Sequence, residues 1–147
     1  MAIMKKALFA ICLGVVAFAN NANELKIYEQ ILSSLKTEEI PKFIKQLAGQ
    51  NLPYRVDEMV VIDSLDIDGL NVNANFKLND TANRKISNLK KAQVARLKNE
   101  FYQNGKSAIC ATSIAKVMLK RGIKLNGSYT LNNKHLFDIS VDKSSCE

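Results

Sequence analysis

Hydrophobic and polar residues alternate strictly between Leu70 and Asn79, the most regular pattern in the chain. The apolar positions are Leu70, Val72, Ala74, Phe76 and Leu78, and the polar positions are Asn71, Asn73, Asn75, Lys77 and Asn79. A period of two predicts a β-strand with one buried face and one solvated face. The preceding residues 56–67 are rich in Val and Ile and predict another strand. Asp68-Gly69 predicts a tight hairpin turn between the two strands.

A second hairpin is predicted further along the chain. Two runs each keep one parity, namely Ile123, Leu125, Tyr129 and Leu131, then His135, Phe137, Ile139 and Val141. Asn132-Asn133-Lys134 predicts the turn that joins them. A turn at Asn126-Gly127, which would divide the first of these strands, stays open as an alternative.

Four helices are predicted where apolar residues recur at spacings of three and four. Their bounds are 22–35, 41–49, 80–104 and 107–121. Asp80 or Thr81 is the expected cap of the third helix. The apolar stripe of the fourth helix contains Cys110, Ile114, Val117 and Met118.

The predicted order of elements is ααββααββ in a single mature domain, residues 20–147. This order predicts the α+β class, with an antiparallel sheet of roughly four strands from two hairpins and the helices packed on one face. A mature chain of about 128 residues has the usual size of one domain.

The first nineteen residues have the three parts of a secretory signal peptide. Lys5 and Lys6 precede an apolar run that ends at Phe18, and small residues at positions 17 and 19 favour cleavage after Ala19. Cleavage after Ala22 stays open. The run is shorter than the roughly 20 residues that a membrane-spanning helix needs. We therefore expect the mature protein in the periplasm or outside the cell.

Cleavage leaves Cys110 and Cys146 as the cysteines of the mature chain. In an oxidising compartment this pair is expected to form one disulfide. The bond would close a loop of about 35 residues and contribute roughly 3–4 kcal/mol on the chain-entropy estimate. The sequence has no Cys-x-x-Cys motif and a single histidine, His135, which disfavours a redox or metal role for the pair.

Charge is distributed unevenly along the chain, whose formal net charge is +7. Residues 20–80 carry six basic and ten acidic side chains, whereas residues 81–147 carry thirteen basic and four acidic ones. A basic face is predicted on the third helix. Arg84, Lys91 and Lys98 are spaced by seven along one side, with Lys85 and Arg96 on the other flank of the apolar stripe. This face is a candidate site for an acidic partner or an anionic membrane, and a solvated helix surface is the alternative.

The predicted strand at 70–78 is a second candidate interaction site. At a sheet edge its backbone could accept an extended partner strand. The solvated residues Asn71, Asn73, Asn75 and Lys77 would keep that edge soluble. A central position in the sheet would exclude this hypothesis.

No catalytic set is recognisable in the sequence. His135 lacks an accompanying nucleophile motif such as Gly-x-Ser-x-Gly. The stretch from Ser64 to Gly69 is similar to the start of a calcium loop, but Asn75 stands where a bidentate carboxylate should close it. The carboxylates that could act as a glycosidase pair have no aromatic platform beside them; they are Asp57, Glu58, Asp63 and Asp66. No cofactor and no metal are expected.

The layout of helices, two hairpins and one late disulfide resembles that of small periplasmic accessory proteins, such as chaperones or pilots of secretion machinery. The likeness is architectural and involves no signature residue. The sequence thus predicts an exported binding protein, not an enzyme, whose partner is a protein of the envelope or the exterior and not a nucleic acid. Two alternatives stay open: a small periplasmic hydrolase with an unrecognised site, and a secreted factor that acts on a host or a competitor.

Overall fold

The structure is a computed structural model that describes residues 22–50 and 52–147, with side chains from residue 26 onward. The predicted signal peptide, residues 1–19, lies outside the described residues. The described helices are α1 Ala22–Ser34, α2 Ile40–Gly49, α3 Lys91–Cys110 and α4 Ser113–Lys120. The strands are β1 Tyr54–Arg55, β2 Val60–Asp68, β3 Asn71–Leu78, β4 Lys124–Leu131 and β5 Lys134–Val141. Short 3-10 helices cover Thr37–Glu39, Ile86–Asn88 and Lys143–Cys146.

The strands form one mixed sheet in the order β1-β2-β3-β4-β5. Both predicted hairpins are present as antiparallel pairs, β2–β3 and β4–β5. The central pair β3–β4 is parallel, with Asn71 opposite Lys124 and Leu78 opposite Leu131. The predicted α+β class is confirmed, but the prediction of a four-stranded, wholly antiparallel sheet is wrong. The long connection between β3 and β4 carries α3 and α4, and such a crossover lets β4 run in the same direction as β3.

Positive backbone φ angles mark both hairpin turns. Gly69 has φ of 59°, and Asn132 and Asn133 have φ of 52° and 64°. Glycine and asparagine tolerate these angles, which give the turn the same twist as the flanking strands. β4 runs without interruption through Gly127, so the alternative turn at Asn126-Gly127 is wrong.

One face of the sheet is buried and the other is solvated. Residues of alternate parity in the four long strands are almost fully shielded from solvent. The buried set is Val60, Ile62, Leu65, Val72, Ala74, Phe76, Leu78, Leu125, Tyr129, Leu131, Phe137, Ile139 and Val141. α2 packs against β2, and α3 packs against β5. The helices therefore supply the second layer of the core on the buried face.

Four aromatic rings form the centre of this core. Phe76 of β3 and Tyr129 of β4 stack with their centroids 4.5 Å apart. The ring of Phe101 from α3 meets Tyr129 at 5.3 Å and Phe137 at 5.9 Å, both edge to face. A Cβ atom at Gly127 would lie 3.1 Å from the rings of both Phe76 and Tyr129. The absence of a side chain at position 127 therefore leaves room for the stack.

α3 begins at Lys91, so the prediction that it begins at Asp80 or Thr81 is wrong. The carboxylate of Asp80 accepts hydrogen bonds from the backbone N–H and the hydroxyl of Ser87. Such local side-chain bonds stabilise turns at the expense of a helix. The backbone of Lys90, just before the helix, donates instead to the side chain of Gln93 at 2.8 Å.

α3 also continues beyond its predicted end at Asn104-Gly105. Gly105 is buried inside the helix, which extends to Cys110. Cys110 and Cys146 form the predicted disulfide, with their Cα atoms 5.4 Å apart. The bond attaches the last 3-10 helix to the end of α3 and next to α4.

β2 begins at Val60, so the predicted strand over residues 56–67 starts too early. The carboxylate of Asp57 accepts hydrogen bonds from the backbone N–H groups of Met59 and Val60, at 2.8 and 2.7 Å. These bonds form a turn, which lets β1 fold back and pair with β2.

Candidate functional site

The outward side of α4 combines apolar and basic side chains. This eight-residue helix buries Ile114, Ala115, Met118 and Leu119. Its exposed side chains are Ser113, Lys116, Val117 and Lys120, which together we call the α4 ridge. Val117 was expected on the apolar stripe of the helix, yet 43% of its surface is exposed. A single exposed apolar residue is ordinary on a protein surface, so the ridge is a candidate contact surface only because an apolar hollow lies beside Val117.

An apolar hollow of about 130 Å³ lies between α1 and α4, and we call it the α1–α4 groove. Leu32 of α1 and Ile114 and Val117 of α4 provide its apolar lining. Glu29, Ser33 and Ser113 form its polar rim. For comparison, an apolar cavity of about 150 Å³ holds a benzene ring. The groove therefore has room for about one large aliphatic or aromatic side chain.

Arg121, directly after α4, holds α1 in position. Its guanidinium donates to the carbonyl oxygens of Leu32 at 2.9 Å and Leu35 at 2.6 Å, and to the hydroxyl of Thr37 at 3.2 Å. The carbonyls at the end of a helix have no partner within the helix, so this single side chain satisfies two of them. Across the groove, the hydroxyl of Ser113 donates to the carboxylate of Glu29 at 2.7 Å. These hydrogen bonds therefore fix the position of α1 at the groove.

Lysine side chains surround two further hollows on the other flank of α4. One, of about 210 Å³, is lined by Lys116, Leu119, Lys120, Lys143, Cys146 and Glu147. The other, of about 300 Å³, shares Leu119, Lys143 and Glu147 with it and adds Lys124. We call Lys116, Lys120, Lys124 and Lys143 the basic rim. Among the described residues the ion pairs are Lys77–Asp63, Arg84–Glu100 and His135–Asp138, none of which involves this rim.

The position of Lys143 is set by a hydrogen-bonded turn. The carboxylate of Asp142 accepts from the backbone N–H of Ser144 at 3.0 Å and from its hydroxyl at 2.6 Å. These bonds from Ser144 lower the pKa of the Asp142 carboxyl, because they favour its charged form. The turn begins the 3-10 helix that ends at Cys146, so the disulfide and Asp142 together fix the backbone of Lys143.

Local sequence explains why cations predominate around α4, although Asp142 and Glu147 also line the hollows beside it. Residues 101–137 contain six basic side chains and no acidic one. α4 and the strand that follows it lie entirely inside this segment. The carboxylates that line the hollows beside α4 therefore come from the C-terminal residues Asp142 and Glu147 and not from this segment.

The predicted basic face is divided by the late start of α3. Lys91, Arg96 and Lys98 lie on α3 and are exposed, whereas Arg84 and Lys85 precede the helix. Arg84 donates to both carboxylate oxygens of Glu100, at 2.9 and 3.3 Å. Hydrogen bonding to Glu100 raises the pKa of the Arg84 guanidinium. Arg84 thus ties the preceding loop to α3, and the five cations do not line one helix as predicted.

The strand-edge hypothesis for residues 70–78 is wrong, because β3 lies between β2 and β4. Its backbone is paired on both sides. The solvated side chains of this strand bond mainly to other polar groups of the open face. Asn126 donates to Asn71 at 3.1 Å and Asn73 at 2.9 Å, and Asn75 donates to Ser64 at 2.8 Å. Lys77 pairs with Asp63 at 3.4 Å. The polar side chains of this face therefore bond largely to one another.

The residues that raised catalytic hypotheses are dispersed. His135 is exposed on β5, and its Nε2 lies 2.8 Å from the carboxylate of Asp138. Within residues 22–50 and 52–147, no group of three or more His, Cys, Asp or Glu side chains could hold a metal ion. Asp57 and Asp63 are engaged in the turn and the ion pair described above. The described part of the chain also lacks a helix with the length and apolar character that crossing a membrane requires.

The α4 ridge was not singled out from the sequence. A signal for it was present, because Lys116 and Lys120 flank Val117 within a segment that has no acidic residue. The apolar stripe of a helix is ambiguous at its borders, and only the position of α1 decides that Val117 is left uncovered.

No known protein family matches the chain, and no curated protein matches its sequence significantly. Solved structures with a similar fold do exist. A protein from Pseudomonas aeruginosa classed as secreted shares 12% sequence identity at a TM-score of 0.61, and the match covers 76% of this chain and 93% of that one.

Two pilotins of type II secretion systems are also similar. EpsS of Vibrio vulnificus has a TM-score of 0.60 at 14% identity, with 76% of this chain and 92% of EpsS covered. AspS of Vibrio cholerae has a TM-score of 0.55 at 22% identity, with 75% of this chain and 92% of AspS covered. At these identities the likeness establishes a shared fold.

Proposed function

We propose that the protein is an exported accessory protein that binds a segment of a partner protein of the cell envelope in the α1–α4 groove. The observation that carries the proposal is the apolar groove itself, with Leu32 and Ile114 at its base and Val117 exposed at its margin. Val117 has Lys120 on one side and the apolar groove on the other, so an uncovered apolar contact has a polar border.

The similar structures support this class of function. Two of them are pilotins of type II secretion systems, and they match this chain over most of their length. By analogy, the partner we propose is a component of an envelope secretion apparatus. The analogy rests on fold alone, and the predicted signal peptide supports it independently, because it predicts a periplasmic or exterior location.

The dimensions of the groove indicate a short helical segment as the ligand. A groove between two helices can receive the apolar face of a third helix. The hollow of about 130 Å³ would take one anchoring side chain of that segment. The hydrogen bonds of Arg121 and of Ser113 with Glu29 fix the position of α1 relative to α4, so we expect little reorganisation on binding.

The test compares two valine-to-glutamate variants in a pull-down from the envelope fraction of the source cells. Val117→Glu should reduce recovery of the specific partner by about ten-fold or more, because binding would bury an unpaired carboxylate. Val61→Glu is the matched control, since Val61 is half-buried on the solvated face of β2. It should leave recovery unchanged.

Circular dichroism and thermal unfolding would establish that both variants are folded. Mass spectrometry would identify the proteins whose recovery depends on Val117. Equal recovery with wild type and Val117→Glu would overturn the groove as the binding site.

A further inference from the structure

We propose that the segment bound in the α1–α4 groove is acidic, and that its carboxylates contact the lysines of the basic rim. This inference rests on the proposed function and specifies the chemistry of its ligand. The geometry of α4 supports this inference, because this short helix presents Val117 on one flank and Lys116 and Lys120 on the other.

The helical repeat places these groups side by side. At about 100° per residue, Val117 lies roughly 60° from Lys120 around the helix, and Lys116 lies a further 40° away. Ile114, beyond Val117, lines the groove, while Leu119, beyond Lys116, lines the basic hollows. A ligand seated against Val117 therefore lies within reach of the flexible side chains of Lys116 and Lys120.

The two walls of the groove differ in charge. The α1 wall contributes Glu29, which is already engaged by the hydroxyl of Ser113. Beyond the α4 wall, on the other flank of that helix, lie Lys116 and Lys120, which have no ion pair among the described residues. An asymmetric ligand is therefore favoured in one orientation, with its acidic side toward α4 and its neutral side toward α1.

The rim lysines are also better placed for a carboxylate than isolated surface lysines. Lys116, Lys120 and Lys143 come from two elements and line one hollow of about 210 Å³. Removal of water from such a hollow on binding strengthens each ionic contact, because the effective dielectric constant falls. Lys116 and Lys120 are one helical turn apart, so acidic residues three or four positions apart in a helical ligand match them.

A protein ligand fits this surface better than an anionic membrane. A helix that lies on a membrane presents several large apolar side chains opposite its charges. Here the exposed large apolar residues of the described chain are Ile27, Tyr54 and Val117, and each is on a different element. Concave hollows also suit discrete side chains more than a flat lipid surface.

The experiment selects peptides from a phage-displayed library of helical peptides on four immobilised proteins. These are the wild type, Val117→Glu, a rim variant and a control variant. The rim variant carries Lys116→Glu, Lys120→Glu and Lys143→Glu. The control carries Lys91→Glu, Arg96→Glu and Lys98→Glu on α3, and so has the same change in net charge.

Wild type and control should enrich the same acidic peptides. The rim variant should bind these peptides about ten-fold more weakly, and the affinity for wild type should fall with added salt. Peptides without charge bias that still depend on Val117 would overturn this inference and leave the proposed function intact. Peptides that are enriched equally on wild type and on Val117→Glu would overturn both this inference and the proposed function. The same follows if no peptide is enriched on wild type.

Flotation with lipid vesicles tests the remaining class of ligand, an anionic membrane. Wild type and the rim variant are floated with vesicles of phosphatidylglycerol or of phosphatidylcholine. We expect neither protein to float with either lipid. Flotation of the wild type with phosphatidylglycerol alone, lost in the rim variant, would assign the basic rim to a membrane and overturn the inference.

Discussion

The basic residues of α3 and those around α4 differ in what lies beside the charges. On α3, Lys91, Arg96 and Lys98 project from a long helix, and none of them lines a described hollow. Around α4, lysines surround two hollows and flank an exposed valine next to a third. The comparison teaches that a row of cations in a sequence is a stronger candidate for a binding surface where the fold places concave or apolar surface next to it.

The two regions also use arginine differently. Arg84 pairs with the carboxylate of Glu100 at the surface, and both side chains are 37% exposed. Arg121 is half-buried and donates to main-chain carbonyls at the end of α1. The first arginine joins a loop to α3, whereas the second builds one wall of the proposed binding groove.

The largest expected effect comes from removing the disulfide, which joins the end of α3 to the 3-10 helix beside α4. The double variant Cys110→Ser, Cys146→Ser should lose about 4 kcal/mol of unfolding free energy on the chain-entropy estimate. Chemical denaturation measures the loss. Hydrogen exchange of the folded variant should increase most over residues 113–120 and 143–146, and least over residues 91–100. Uniform loosening of all helices would show that the two regions are not separately anchored.

The next largest effect is a difference in unfolding free energy between variants of Arg121 and Arg84. Arg121→Ala leaves carbonyls of α1 without their donor and should cost about 1–3 kcal/mol. Arg84→Ala breaks an ion pair that solvent screens and should cost about 0.2–1 kcal/mol. Urea denaturation of both variants measures the difference. Arg121→Lys serves as a control that keeps the charge but loses the fork of donors, and it should be closer to Arg121→Ala than to wild type. Equal costs for Arg84→Ala and Arg121→Ala would contradict the assigned roles.

The smallest expected effect is a pH dependence of two turns, which the carboxylates of Asp80 and Asp142 stabilise. Hydrogen bonds from Ser87 lower the pKa of Asp80, and those from Ser144 lower the pKa of Asp142. A lowered pKa means that each charged carboxylate stabilises its turn above the ordinary value of about 3.9. This stabilisation is lost as the pH falls below that value and through the lowered pKa.

NMR titration of amide shifts tests this separately in each region. Asp142→Asn should abolish the acid-dependent change at Ser144 near α4 and leave the change at Ser87 intact. Asp80→Asn should do the reverse. An unchanged titration at Ser144 in Asp142→Asn would show that another group controls that turn.

Local patterns in the sequence predicted the local structure well. The alternation that begins at Leu70 corresponds to β3, and the asparagines at 132 and 133 form the turn between β4 and β5. These features depend on residues that are close in the sequence. The pairing of β3 with β4 depends instead on how two distant hairpins meet, and an alternating pattern is the same in a parallel or an antiparallel pair.

The arrangement of the basic side chains and the exposure of Val117 were harder to predict from the sequence. Regular spacing suggested that Arg84 shares a helix with Lys91, but the bonds between Asp80 and Ser87 form a turn where that helix was expected. Val117 falls at the border of an apolar stripe, and its exposure depends on where α1 lies. The candidate site could therefore be recognised only after the packing of α1 against α4 was known.

The parallel pairing of β3 with β4 also bears on how the chain reaches its folded state. Each residue of β3 is opposite a β4 residue 53 positions further along the chain. The two hairpins need only short loops to close, so their formation costs little chain entropy. The central pair requires the whole crossover to be ordered first, and contacts of such high sequence separation slow folding. We therefore expect the sheet to assemble as two preformed halves, whose joining at Phe76 and Tyr129 is the late step of folding.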